Sequence, residues 1–209
     1  MLKYLFFDLD NTLYSCRWGL ENNVKQRMRK FIAGFLNTTP DEAWQQRTAH
    51  IKKYGTTLEW LITEKGFTNV EAFLAAVHPP DEADSLLPDP ELKTFLEGIP
   101  IPRAIITNSP REHADLILDK LDMAELFTHI FDIRLCNFKG KPHPDFFNHA
   151  LNVLGVSAGE VLFIDDTPLY VEGFNALGGR GLLLDEDNVY TDYAYPKIRG
   201  LKELYQYVR

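Results

Sequence analysis

An apolar run, Tyr4 to Phe7, is closed at once by Asp8-Leu9-Asp10, and no other stretch constrains the chain as much. A short apolar run bounded by acids reads as a buried strand. Residues two apart on a strand point the same way, so Asp8 and Asp10 share a side. Two such carboxylates repel each other unless a cation or a proton sits between them. Stability alone gives no reason to keep that arrangement, and the pair reads as a reaction centre.

From Gly19 to Val77 no further apolar strand follows, and the pattern is helical. Val24, Met28, Phe31, Ile32 and Phe35 fall at helical spacing. Thr39-Pro40-Asp41-Glu42 is a capping-box start with proline at the first helical position, and Gly55 stops the helix it opens. Thr57 to Lys65 forms a shorter helix ended by Gly66. Thr68-Asn69-Val70-Glu71 reads as a second capping box, opening a helix that stops before His78-Pro79-Pro80. Several helices in a row predict a separate all-helical insert.

From Leu87 onward, strands and helices alternate. The strands are expected at Arg103–Thr107, weakly at His129–Ile133, at Val161–Ile164 and at Gly181–Leu184. The helices between them are opened by Asp89-Pro90, by Ser109-Pro110-Arg111-Glu112, by Pro142-His143-Pro144 and by Thr167-Pro168. A terminal helix is expected from Leu201 to Val208. This alternation predicts a Rossmann-like α/β fold, a parallel sheet covered on both faces. Such sheets bind ligands beyond the carboxyl ends of their strands. The polar residues lie there: Asp8 and Asp10, Thr107-Asn108-Ser109, Asp165-Asp166, and Lys139 and Lys141 in a loop before a helix. Carboxylates from two strand ends make an oxygen-rich site suited to Mg²⁺. Thr107, the free backbone N–H groups after it and one lysine make an anion cradle. Metal, cradle and a carboxylate nucleophile are the parts phosphoryl transfer needs.

The formal net charge of −8 argues against a nucleic acid polymer or an anionic membrane surface as main partner. A small phosphorylated substrate fits, because a metal ion and local donors can reverse the sign of one pocket. No apolar stretch nears the ~18 residues of a membrane span, and the N-terminus does not read as a signal peptide. Cys16 and Cys136 read as reduced thiols. A cytoplasmic protein is expected, with no protein partner implied.

Motifs and their order now point to a family. Asp8-Leu9-Asp10-Asn11-Thr12-Leu13, Ile106-Thr107-Asn108, Lys141-Pro142 and Ile164-Asp165-Asp166-Thr167 resemble the four motifs of the haloacid dehalogenase superfamily of hydrolases. The resemblance implies a core of residues 1–13 and 88–209 and an inserted helical cap of residues 14–87. It implies Asp8 as nucleophile and Asp10 as acid and then base. It also implies Mg²⁺ on Asp8, the backbone carbonyl of Asp10 and the acids Asp165 and Asp166, with Asp166 favoured. Thr107, Asn108 and Lys141 would bind the phosphoryl group. Within the superfamily the chain is similar to the pyrimidine 5′-nucleotidase-like branch, on Phe6 to Tyr14, Lys53-Tyr54-Gly55, Thr107-Asn108 followed by His113-Ala114, and Lys141-Pro142-His143. That branch implies nucleoside monophosphates as substrates, with Lys53 and Tyr54 as cap contacts. Tyr170 departs from the pattern: relatives often carry Asn or Asp four residues after the metal-binding acid.

Other readings keep part of this picture. A sugar phosphate or another small phosphate could be the substrate. A 2-haloacid dehalogenase would use Asp8 alike, but halide leaves without a proton and gives Asp10 nothing to do. A phosphoryl-accepting signalling module places its acidic pair first, not last, and a silent binding relative would keep the site without turnover.

Overall fold

A computed structural model of the chain describes residues 1–208. Its strands are β1 (Tyr4–Phe7), β2 (Arg103–Ile106), β3 (His129–Phe131), β4 (Val161–Asp165), β5 (Arg180–Leu184) and β6 (Lys197–Ile198). They form one sheet in the order β3-β2-β1-β4-β5-β6, and every pairing is parallel. Strand β1, which Asp8 and Asp10 follow, therefore lies in the middle. The chain crosses from one side of β1 to the other between β3 and β4, which opens a crevice at its carboxyl end.

Alternation along the buried strands feeds two separate cores. Leu5, Phe7, Leu162 and Ile164 face one side and pack with α5 (Pro90–Glu97), α6 (Arg111–Lys120) and the C-terminal turn through Leu96, Ile117 and Leu204. Phe6, Val161 and Phe163 face the other side and meet α7 (Pro144–Leu154) and α8 (Pro168–Ala176) through Phe146, Phe147 and Phe174. Between β1 and α5 run α1 (Leu20–Leu36), α2 (Pro40–Tyr54), α3 (Thr57–Lys65) and α4 (Val70–Val77). These four helices enclose a third apolar cluster of their own, centred on Ile32, Leu58, Trp60, Leu61 and Val77. The architecture is thus the expected α/β sheet with an all-helical insert.

Several local expectations are corrected. Asn69, not Thr68, caps α4, accepting from the Ala72 N–H. Ser109 does not cap α6: its hydroxyl is drawn to Asp10, and Pro110 takes the cap position. The terminal segment Leu201–Gln206 is a 3-10 helix, and the two-residue strand β6 was too short to leave a periodic signal. No described helix is long and apolar enough to cross a membrane.

The β5–β6 edge is tied down by buried Asp185. It accepts from Lys197 Nζ at 2.9 Å and from the backbone N–H groups of Val189 and Tyr190. Burial pushes this carboxyl up, but Lys197 and the two backbone donors outweigh that and hold it below the ordinary range. A depressed folded-state pKa contributes stability that is present above the unfolded value of about 3.9 and lost as pH falls through the folded value. Asp185→Asn is expected to lower the urea midpoint at pH 7. The gap to the wild type should close as the pH is taken below about 4, which denaturation curves across pH 3–7 would show.

Candidate active site

Asp8 and Asp165 lie opposite each other, one step beyond the Phe7–Ile164 register pair of β1 and β4. Like charges facing across neighbouring strands destabilise a sheet. Lys141 removes the conflict, its ammonium lying 2.6 Å from Asp8 Oδ1 and 2.6 Å from Asp165 Oδ2. Lys141 and Asp165 are fully buried and Asp8 nearly so. The two carboxylates outweigh desolvation and raise the ammonium above its ordinary pKa. The rings of Tyr170 and Phe163 lie 5.1 and 5.4 Å from the same nitrogen. Tyr170, the departure from the family pattern, therefore borders the lysine with an aromatic face.

The loop carrying Lys141 is held by side chains on all sides. Asn108 clamps its backbone, accepting from the Lys141 N–H at 2.7 Å and donating to the Lys141 carbonyl at 3.0 Å. A Cβ at Gly140 would lie 2.0 Å from the Asn108 amide oxygen, and one at Gly173 2.8 Å from Pro142. Gly55, at φ 75°, brings the insert against the same loop: a Cβ there would sit 2.7 Å from Pro142. Lys141–Pro142 is a cis peptide. Asn108 thus serves Lys141 directly, and Thr107 is buried at the end of β2, its hydroxyl oxygen accepting from the Ser109 N–H.

Asp8, Asp165 and Asp166 offer oxygens within 4.8 Å of one another. Among the described residues, Lys141 is the one cation that touches this trio. Burial, with the charges of Asp8 and Glu21, pushes Asp166 up to about 7, and burial raises Asp8 and Asp165 against the pull of Lys141. Asn11 Oδ1, on a residue whose amide points at Asp166, is buried without a donor. Hard oxygens in excess of the local positive charge fit a divalent cation such as Mg²⁺. Asp166 lines the open cavity, whereas Asp165 is spent on Lys141 and on the Thr167 N–H.

Asp10 lies in the turn after β1 and accepts three hydrogen bonds. Tyr14 O–H and His113 Nε2 reach Oδ1 at 2.6 and 2.7 Å, and Ser109 O–H reaches Oδ2 at 2.8 Å. Burial raises its pKa, but charged His113 and the hydrogen bonds outweigh this and keep Asp10 well below the usual carboxylate range. Burial alone would lower His113; the Asp10 and Glu82 carboxylates raise it to about 10. In the sequence His113 stands out only in the His113-Ala114 pair of the branch resemblance, with no metal or catalytic role attached. The available signal was its place in the first turn of the helix that follows the Thr107 strand end.

A cavity of about 190 Å³ collects Asp8, Asp10, Thr107, Asn108, Lys141 and Asp166 from the sheet side. Lys53 and Tyr54 do not reach it: Glu64 on α3 takes both, at 3.3 and 2.6 Å. The insert lines the cavity instead with Val24, Met28, Arg47, Thr56 and Thr57. Arg47 donates to Thr57 Oγ1 at 2.8 Å and lies over the Trp44 ring, with no acid partner among the described residues. The sequence does not single it out, because which face of α2 turns inward is decided by packing against α1 and α3. Removing one member of a buried ion-pair set costs about 3–5 kcal/mol, so Lys141→Met, which leaves Asp8 and Asp165 face to face, should lose stability of that order in urea denaturation.

Comparison with known proteins places this geometry in a family. The family model of haloacid dehalogenase-like hydrolases matches residues 2–178. Phosphate metabolism protein 8 of Saccharomyces cerevisiae is 28% identical over 209 residues, covering 90% of this chain and 63% of that protein. The chain thus spans less than two thirds of that relative. Among solved structures, a HAD phosphatase from Thermococcus onnurineus superposes with a TM-score of 0.64 at 20% identity, covering 99% of this chain and 97% of the other. An L-2-haloacid dehalogenase from Xanthobacter autotrophicus superposes with a TM-score of 0.62 at 18% identity, covering 99% of each chain. At such identities the two structures share the fold and nothing more specific. With the family model spanning β1 to β4, the insert and all four motifs, the chain belongs to the haloacid dehalogenase-like hydrolases.

Proposed function

We propose that this hydrolase is a Mg²⁺-dependent phosphomonoesterase working through an aspartyl-phosphate, with nucleoside monophosphates, pyrimidine ones first, as substrates. The observation that carries the reading is a single cavity lined by two strand-end acids, Asp8 and Asp10, with Thr107, Lys141 and Asp166. The name of the yeast relative, which refers to phosphate metabolism, points the same way. Residues 14–87 would act as the cap over this cavity.

Asp8, the backbone carbonyl of Asp10 and Asp166 would hold the metal, with Asp165 behind them; when bound it supplies positive charge against the phosphoryl oxygens. Asp8 attacks phosphorus, the bond to the leaving oxygen breaks, and Asp10 protonates that oxygen. In the second step Asp10 removes a proton from water, which attacks the phosphorus of the aspartyl-phosphate and frees Asp8 and inorganic phosphate. The ligand-free carboxylate of Asp10, held by three donors, is already the form the second step needs. An arriving phosphate dianion raises its affinity for the proton the first step needs, since like charges disfavour ionisation. Thr107 and Lys141 hold the phosphoryl oxygens, and Lys141 keeps Asp8 from facing Asp165 unscreened.

Leaving-group contact falls to the insert. Arg47, with no acid partner among the described residues, presents donors, while Val24 and Met28 present apolar surface. That mixture suits a ring with carbonyl edges. A cavity of about 190 Å³ is below the roughly 300–1,000 Å³ usual for ligand sites, so a nucleotide enters only with the insert displaced outward and is enclosed when it returns.

With Mg²⁺, purified protein should release phosphate from at least one phosphomonoester, and both Asp8→Asn and chelation should abolish the release. Halide release from 2-haloacids without any phosphate release would overturn the reading. Uridine and cytidine monophosphates performing no better than sugar phosphates would remove the nucleotide assignment. Arg47→Met is expected to raise KM for the preferred nucleotide about 10-fold or more, as loss of a charged hydrogen bond of ~1.5–3 kcal/mol requires, with kcat less affected in steady-state assays.

A further inference from the structure

Behind Asp10 runs a chain of buried charges that phosphoryl transfer as described above does not use. His113, on α6, sits between two carboxylates: Nε2 is 2.7 Å from Asp10 Oδ1 and Nδ1 hydrogen-bonds to Glu82 Oε1. A ring flanked on both nitrogens by carboxylate oxygens donates from both, so its plane and its position are fixed from two ends. Glu82 belongs to the segment returning from α4 to α5 and is itself tethered. Arg27 of α1 donates to Glu82 Oε2 at 2.6 Å and to the Val77 carbonyl at 2.6 Å, while His78 Nδ1 lies 3.1 Å from Glu82 Oε1. The side chains of His113 and Glu82 are 1% and 2% exposed, so this link runs through the protein interior rather than over its surface.

His78, Glu82 and His113 are close enough together to suggest a metal site. The Arg27 guanidinium at 2.6 Å from Glu82 argues otherwise, because it already supplies the positive charge a cation would bring. The cluster meets the cavity at His78 and reaches Asp10 through His113.

We propose that His113 and Glu82 are positioning residues for Asp10, holding its carboxyl in the orientation that protonates the leaving oxygen and tying that orientation, through Arg27, to the seated insert. This rests on the phosphatase reading and on Asp10 as its acid and base. Three segments must come together for the chain to be complete: the helix after β2, the segment returning from the insert, and α1 within it. Glu82 and Arg27 both lie within residues 14–87, so an insert displaced outward draws them away from His113, and Asp10 is fully held only when the cavity is covered.

Leaving-group dependence separates this role from a structural one. An alkoxide needs a proton to depart and a nitrophenolate does not, and kcat/KM reports the step in which the ester bond breaks. The test measures kcat/KM with Mg²⁺ for an alkyl phosphomonoester and for p-nitrophenyl phosphate in wild type, His113→Ala, His113→Gln and Glu82→Gln. Positioned general acids contribute roughly 10²–10⁴-fold, so His113→Ala should lose about 10²-fold or more on the alkyl ester and under about 10-fold on the nitrophenyl ester. His113→Gln, whose amide N–H can replace Nε2–H, should recover much of the alkyl activity. Glu82→Gln should show a smaller loss with the same selectivity. Equal losses on both esters, or no loss on the alkyl ester, overturn the proposal while leaving the phosphatase reading intact. A wild type inactive on both esters overturns the phosphatase reading and this one with it. Should His113→Ala fail to fold, the alkyl-to-nitrophenyl ratio in the two Gln variants decides in the same way.

Discussion

One ion triad governs this molecule: the Lys141 ammonium between Asp8 and Asp165. The two acids are register neighbours on adjacent central strands, and parallel pairing brings them face to face at the point where the sheet ends. Low local polarity makes their repulsion severe, so the strand ends can stay closed only if a cation is delivered between them. That requirement explains the irregular loop before α7, the Asn108 clamp on its backbone and the glycines packed around it. The arrangement leaves Asp8 buried and paired with an ammonium yet open to the cavity, a placement that suits the proposed nucleophilic role.

The acids at this end of the sheet are distinguished by their neighbours. Asp8 has a lysine, Asp10 has a histidine and two hydroxyls, Asp165 is spent on holding Lys141, and Asp166 meets the cavity with too little positive charge around it. Identical side chains thus take different work from different surroundings. The insert adds what the sheet cannot, an arginine and apolar surface lining the same cavity as these acids, and its own core of aromatic and aliphatic residues keeps those groups in register.

Much of this was legible from residues alone. Short apolar runs marked five of the six strands, since a buried parallel strand must be apolar on both faces. Proline and glycine punctuation marked most helix ends, and the polar residues at strand ends marked the site. What could not be read shares one physical cause. Lys53 and Tyr54 look suited to a ligand in a linear sequence, yet a carboxylate on the next helix, Glu64, satisfies both. Arg47 and His113 look ordinary, yet packing turns each toward the cavity or toward the acid beside it. Ser109 has the ideal identity for a helix cap and is taken by a nearby anion. In each case a tertiary contact decides, a polar or charged partner for Lys53, Tyr54, His113 and Ser109 and helix packing for Arg47, and local patterns carry no record of such contacts.

The contact between Gly55 and the Lys141–Pro142 loop carries one more consequence. Glu59 and the Tyr54 carbonyl meet His143 at 2.7 and 3.1 Å just beyond it, so the turn joining α2 and α3 is seated on the very loop that delivers the ammonium. The helical insert is therefore not an interchangeable attachment. Grafting another member's insert onto this sheet, or this one elsewhere, would break a matched joint unless Gly55, Glu59, Pro142, His143 and Gly173 travelled as a set. Sheet and insert are constrained to diversify together, and a change in what the enzyme accepts is tied to the loop that pairs with Asp8.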